Sequence, residues 1–229
     1  MVLRRGSSNR DTVRKDVAVR FLRGDGIEIG ALDYPLRVPR GARVRYVDYL
    51  DEAELRRVHG ETLAAGRPLV APDVVDDGAR LDSFADDSLD FVVANHMLEH
   101  VEDPIAALQS HLRALKGGGV LYLTLPDART SFDAPRERTT TQHLLRDHRE
   151  GPQVSRRAHY EECARHIEGH GQETLAERVE EMESEDLHPH FHVWEPLTFA
   201  GFLAALDLPC SLELLQASVG EFLVVVRKL

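Results

Sequence analysis

Cysteine is scarce in this chain of 229 residues, which has only Cys163 and Cys210. They stand far apart and in no metal-ligand spacing. That argues against a disulfide framework and favours a reducing compartment, so a cytoplasmic protein is expected. Long apolar runs are missing too. Nothing approaches the ~20 residues of a membrane span, and the basic start Met1-Val2-Leu3-Arg4-Arg5 is not followed by the apolar stretch of a secretory signal. No membrane partner is expected. Basic charge is in deficit: 28 Lys and Arg face 39 Asp and Glu, for a net charge of −11. Binding to a phosphate backbone needs a basic footprint, so nucleic acid is not an expected partner. Repeats and long linkers are also absent. The length fits one domain over residues 1–229 that buries its core without staples, as a monomer or homodimer.

The most telling segment is Gly26-Ile27-Glu28-Ile29-Gly30-Ala31-Leu32, followed by Asp48 at the end of Val44-Arg45-Tyr46-Val47-Asp48. The first reads as a buried strand breaking into a glycine turn, the second as a strand ending in a carboxylate. In open α/β sheets ligands sit at the carboxyl ends of neighbouring strands. There a glycine admits the backbone and an acid takes ribose hydroxyls. A pyrophosphate-binding turn wants further glycines, and Leu32 stands where the second would be. An acid at Glu28 better suits a cofactor with a positively charged amino-acid end.

Other elements follow in order. Residues 1–10 show no periodicity and are expected to be disordered. Val13, Val17, Phe21 and Leu22 mark a helix over 11–23. A helix is expected over 51–58, a short strand near Val74 and a strand over 89–94. Asp103-Pro104 starts a helix, because Asp caps free amides and Pro fits the first turn. Gly117 is expected to end it. A strand over 120–125 follows. Two closing strands, 211–216 and 222–226, are close enough to pair antiparallel. Strands alternating with helices before a hairpin-like finish imply an α/β fold whose sheet is mostly parallel with one reversed strand. Between them, residues 127–194 are polar and rich in His, Arg and Glu. Helices are expected at 139–147, 155–168 and 172–185, forming a helical lid inserted after the fifth strand.

Glu28-Ile29-Gly30, Asp48, Asp76-Asp77-Gly78 with Leu81, Asn95-His96-Met97 and Leu115-Lys116-Gly117-Gly118-Gly119 resemble, in order and spacing, the class I S-adenosylmethionine-dependent methyltransferases. The resemblance implies a Rossmann-like seven-stranded sheet with helices on both faces. Phe132-Asp133, Arg138-Thr139-Thr140, His143-Leu144-Leu145, His159-Tyr160 and His190-Phe191-His192-Val193-Trp194 look like one bacterial branch of methyltransferases found near glycosyltransferase and natural-product genes. By this resemblance Glu28 lies near the cofactor's amino group or orders the loop beneath it. Gly30 and Ala31 admit the methionine part, and Asp48 and Tyr49 flank the ribose. Asp77, Gly78 and Leu81 meet the adenine, with Asp76 or Asp82 as alternative acceptors. The Asn95 and His96 backbone lines the sulfonium.

Twelve histidines supply candidate bases. His96, His190 and His192 are the expected catalytic residues, because a hydroxyl acceptor needs its proton removed and histidine suits neutral pH. His100, one helical turn beyond His96, is more simply a packing residue. In extended chain His190 and His192 would project together. His143, His159 and Tyr160 are expected to help them line the acceptor site. No Cys, Asp or Glu completes a local metal signature around His188-Pro189-His190-Phe191-His192, so no metal is expected; His143 and Asp147 could add to it only through the fold. Trp194 and Phe199 are expected to anchor the final helix. The expected reaction is O-methylation of a small sugar-containing or natural-product acceptor. Carboxyl or N-methylation is the alternative within the class. A nucleotide-binding oxidoreductase or a non-catalytic cofactor-binding scaffold is the alternative outside it.

Overall fold

In the computed structural model, which describes residues 3–60 and 67–229, helix α1 (Leu3–Phe21) precedes strands β1 (Gly24–Ile29) and β2 (Ala42–Asp48). Then come α2 (Glu52–His59), β3 (Val74–Val75) and β4 (Leu89–Asn95). A short 3-10 turn at Leu98–His100 leads to α3 (Pro104–Ala114) and β5 (Leu115–Pro126). Helices α4 (Thr141–Glu150), α5 (Gln153–His166), α6 (Gln172–Ser184) and α7 (Pro196–Ala205) follow, and β6 (Cys210–Ala217) and β7 (Glu221–Lys228) close the chain. No described helix is long and apolar enough to cross a membrane.

The seven strands form one sheet in the order β3-β2-β1-β4-β5-β7-β6. The strands from β3 to β5 pair in parallel, and β7 runs antiparallel to both β5 and β6. The order reverses between β1 and β4, the switch point where such sheets open a ligand crevice at their carboxyl edge. Because alternate strand residues face opposite sides, the apolar runs fill two cores. Ile27, Ile29, Val92, Ala94, Leu121 and Leu123 pack with Ile105 and Leu108 of α3 and with Phe199 and Phe202 of α7. Phe91, Val93, Val120, Tyr122, Leu223 and Val225 pack with Val17 and Ala18 on α1 and with Leu22 just after it. Helices therefore cover both faces, and both faces of the central strands are apolar for that reason. Each large side chain sealed in this way contributes about 1.5–3 kcal/mol.

Asp103 caps α3 as expected, accepting from the Ala106 amide at 3.0 Å. Two expectations are corrected. Gly117 does not end α3: the chain leaves the helix after Ala114, and Leu115 already pairs with Leu89 as strand, with a register irregularity before the next pair. Leu115 is fully buried, so packing draws it into the sheet ahead of the glycines. Of residues 1–10, expected to be disordered, 3–10 are the start of α1, and 1 and 2 lie outside the described residues. Once nucleated on its packed apolar face, a helix extends at little cost per residue.

Between β5 and α7, α4 packs on α3, α5 and α7, and α5 and α6 pack closely on each other. The latter pair carries its own small core of Tyr160, Cys163, Ala164, Val179, Met182 and Phe191. Trp194 stacks among Phe199 and Phe202, and Phe199 in turn meets Phe222 of β7. That ties α7 to the sheet as the sequence suggested.

Candidate active site

At the carboxyl edge, three loops each hold a non-glycine residue in the left-handed region: Leu32 at φ 45°, Leu81 at φ 53° and His96 at φ 49°. Such backbone costs about 1–3 kcal/mol per residue and collects at functional sites. Two glycines shape the same edge. Gly30, at φ 65°, has no atom within 4 Å of where a Cβ would stand, so the end of β1 faces open space. Gly78 is pressed against β1, and a Cβ there would lie 2.3 Å from Ile29 Cγ2. Ala31 beneath Gly30 is buried.

Asp48 ends β2 as a buried side chain. Burial pushes its carboxyl pKa up, against the pull of the Leu50 and Tyr49 amides. Tyr49 beside it is exposed. Glu28 is buried on the α1 face, where both its oxygens accept from the Leu36 amide at 2.9 Å and one accepts from Asn95 Nδ2 at 3.1 Å. Burial raises its pKa to about 7, opposed by those bonds. Glu28 thus orders the loop after β1. Asn95 is pinned in turn by Thr124 Oγ1, which donates to it at 3.0 Å.

The loop after β3 is organised by its own acids. Asp77 Oδ1 accepts from the Ala79 amide at 2.8 Å, Asp76 Oδ2 accepts from the Ser83 amide at 2.8 Å, and Asp82 pairs with Arg80. Leu81 is wholly buried in the core. Its side chain packs against the sheet and is not exposed at the edge. His111 Nε2 donates to the Gly78 carbonyl at 2.8 Å from beneath.

The structure gives His96 a state that a sequence cannot show. Its Nε2 bonds Glu221 Oε2 at 2.7 Å, and its Nδ1 makes an ion-pair contact of 3.2 Å with Glu99 Oε1. Glu221, fully buried, also accepts from Arg14 Nε at 2.7 Å and Nη2 at 2.5 Å. Burial pulls the imidazole pKa down, but the Glu221 and Glu99 carboxylates outweigh it and hold it at about 9. Both ring nitrogens of His96 are thus turned to carboxylates, and a ring held protonated has no lone pair with which to accept a proton. Arg14, Glu99 and Glu221 were not legible beforehand. Glu221 lies 125 residues from His96, and no local motif marks the pairing.

His190 and His192 also separate. Both the Phe191 and His192 amides donate to the Glu99 carbonyl. This bends the segment and breaks the two-residue alternation of a strand. His190 Nδ1 bonds Asp133 Oδ2 at 2.7 Å, and its Nε2 lies 4.0 Å from Glu99 Oε1. Both Glu99 oxygens are buried without a hydrogen-bond partner. His100 meets the His190 ring edge-on and bonds the His188 carbonyl through Nδ1 at 2.8 Å. His192 is instead buried beside His143 and His159. Burial and the neighbouring His143 depress His159 to about 4; burial and His159 depress His192 to about 3. Tyr160, expected to touch an acceptor, is buried and donates to the Leu187 carbonyl at 2.8 Å, because the apolar face of α5 turns onto α6.

Among the described residues, two groups therefore converge well enough to hold a cation: Glu99 with His100 and His190, and His143 with His159 and His192. A cavity of about 290 Å³ opens elsewhere, between α1 and the loop after β1. Arg14, Lys15, Arg37 and Arg67 line it, together with Asp11 and Asp33, and no lining residue comes from 127–194.

A family model described as a methyltransferase domain matches residues 18–198. A Pyrococcus horikoshii protein is similar over 97% of this chain and 91% of its own, at 14% identity and a TM-score of 0.51. A Thermotoga maritima S-adenosylmethionine-dependent methyltransferase is similar over 98% and 89%, at 15% identity and a TM-score of 0.50. At such identities the likeness is one of fold. No curated protein matches the chain by sequence.

Proposed function

The chain belongs to the methyltransferase-domain family, and from that premise we propose that it methylates a hydroxyl of a small acceptor, with His190 as the base. S-adenosylmethionine is the methyl donor that this family and fold imply, and it supplies an electrophilic methyl on a sulfonium. The carboxyl edge fits such a cofactor: Gly30 faces open space and Asp48 offers a strand-end carboxylate. Asp48 would hold the ribose hydroxyls, since a carboxylate offers two oxygens to a diol. Gly30 and Ala31 would admit the methionine part.

The observation that carries the reading is the Asp133–His190 pair. Asp133 is buried and also held by Arg136 Nη1 at 2.9 Å. Its pKa is lowered despite burial, first by His190 and then by Arg136. In the tautomer that donates Nδ1–H to this carboxylate, the ring is oriented and Nε2 is the atom that carries the lone pair. The same logic lets a carboxylate set the tautomer of a histidine base. His190 would then take the hydroxyl proton at Nε2, while segment 127–194 forms an acceptor-side lid. The bacterial branch that this segment resembles favours a sugar-containing or natural-product acceptor.

A second reading has its own support. Besides Glu221-bound Arg14, the cavity beside α1 carries Lys15, Arg37 and Arg67 against Asp11 and Asp33, a basic surplus that suits a carboxylate acceptor needing no base. The test is methyl transfer from isotopically labelled S-adenosylmethionine to a panel of glycosides, phenols and carboxylic acids. Alkali cleaves a methyl ester and spares a methyl ether. Alkali-stable product is expected, with turnover falling roughly 10²–10⁴-fold in His190→Ala while S-adenosylhomocysteine still binds. Alkali-labile product, or a loss below about tenfold, would transfer the assignment to the carboxylate reading.

A further inference from the structure

We propose that His143, His159, His192 and Asp147 form a binding site for one divalent transition-metal ion of the zinc type, joining α4, α5 and the 188–194 segment. The four residues come from three stretches that the fold alone brings together. His143 Nε2 lies 3.1 Å from His159 Nε2 and 3.1 Å from Asp147 Oδ2, the latter without hydrogen-bond geometry. His143, His159 and His192 each offer one ring nitrogen, all within 4.8 Å of one another. Ligands about 2.0–2.1 Å from a tetrahedral zinc stand roughly 3.3 Å apart. Two of the contacts are already at that spacing.

Two atoms in the cluster have no partner. His192 Nδ1 and Asp147 Oδ2 are buried with no hydrogen bond, and their residues are only 1% and 2% exposed. Buried polar atoms are rarely left so. The opposite atom of each residue is engaged. His192 Nε2 donates to the Glu102 carbonyl at 3.1 Å, and Asp147 Oδ1 accepts from Ser155 Oγ at 2.9 Å and from Arg146. A ligand oriented by a bond at its far atom is the usual arrangement around a protein-bound metal. The nearby Arg136 guanidinium is taken up by Asp133 and Glu162. Three imidazoles and one carboxylate favour zinc-like ions over magnesium or calcium, which prefer all-oxygen sites.

The proposal goes beyond methyl transfer and is tested without turnover. Full-length protein stripped with a chelator is titrated with Zn²⁺ by calorimetry and with Co²⁺ by visible absorption. One equivalent should bind, with the intense absorption of four-coordinate Co²⁺. His143→Ala/His159→Ala should weaken binding at least 100-fold, while His100→Ala in the neighbouring group should bind as wild type does. S-adenosylhomocysteine titrated into the same samples reports the cofactor site separately, so failure of one reading is distinguishable from failure of the other. Should the double variant not fold, the stripped wild type decides: Zn²⁺ should raise its melting temperature and a chelator should reverse the rise. No binding and no thermal shift in the wild type, or loss of the site in His100→Ala, overturns the proposal and leaves a metal-free hydrogen-bonded histidine cluster.

Discussion

Glu221→Gln perturbs the network that gives His96 its charge. Glu221 is fully buried and accepts two hydrogen bonds from Arg14, which is 7% exposed, and one from His96. An amide keeps the shape but removes the negative charge, leaving Arg14 largely unpaired. Breaking a buried ion pair from one side costs about 3–5 kcal/mol. With a urea m-value of about 2–3 kcal/mol/M, the midpoint should fall by roughly 1–2 M. The pH dependence separates this from a simple packing defect. The folded pKa of His96, about 9, lies above its usual value of 6.5. The stability it contributes is therefore fully present below pH ~6.5 and lost as pH rises through about 9. A shift of that size corresponds to about 3 kcal/mol in a sealed site; the ring is 34% exposed, and solvent screening reduces the figure to about 1–2 kcal/mol. Urea unfolding followed by Trp194 fluorescence at pH 6.5, 8 and 9.5 measures both effects. The wild type should lose that increment on going alkaline, and Glu221→Gln should lose far less. Parallel pH slopes in the two proteins, or a midpoint unchanged at pH 7, would refute the argument.

The other predictions concern the carboxyl edge. Asp48→Ala should weaken S-adenosylhomocysteine binding by about 1–3 kcal/mol, the worth of hydrogen bonds to a charged group; equal affinity by calorimetry counts against Asp48 as the ribose acceptor. Gly78→Ala places a Cβ 2.3 Å from Ile29 Cγ2 and should cost about 1–3 kcal/mol through overpacking, read as a lowered urea midpoint. A neutral outcome would mean that the loop after β3 yields freely.

Local patterns were legible wherever one residue type at one spacing has one physical meaning. The alternation of strands and helices was readable because burial on both faces makes the central strands continuously apolar. Asp103-Pro104 announced α3, since capping and a fixed φ act within one turn. Gly117 misled because its expected effect was local, whereas Leu115 was drawn into the sheet by contacts with β4. The burial of Leu81 and Tyr160 was hidden for the same reason: each lies in a polar neighbourhood of sequence but is packed in by elements far along the chain.

By itself, then, the sequence determined the sheet, its reversed strand, the glycine turn after β1 and the strand-end acid at Asp48. All of these depend on periodicity or on the conformational limits of single residues. Tertiary structure decided which groups surround each histidine. Glu221 and Glu99 raise the pKa of His96, His190 is oriented by Asp133, and His192 is buried with His143 and His159. The physical reason is that protonation follows from burial and the nearest charges, and those are contributed by residues that no spacing in the chain relates.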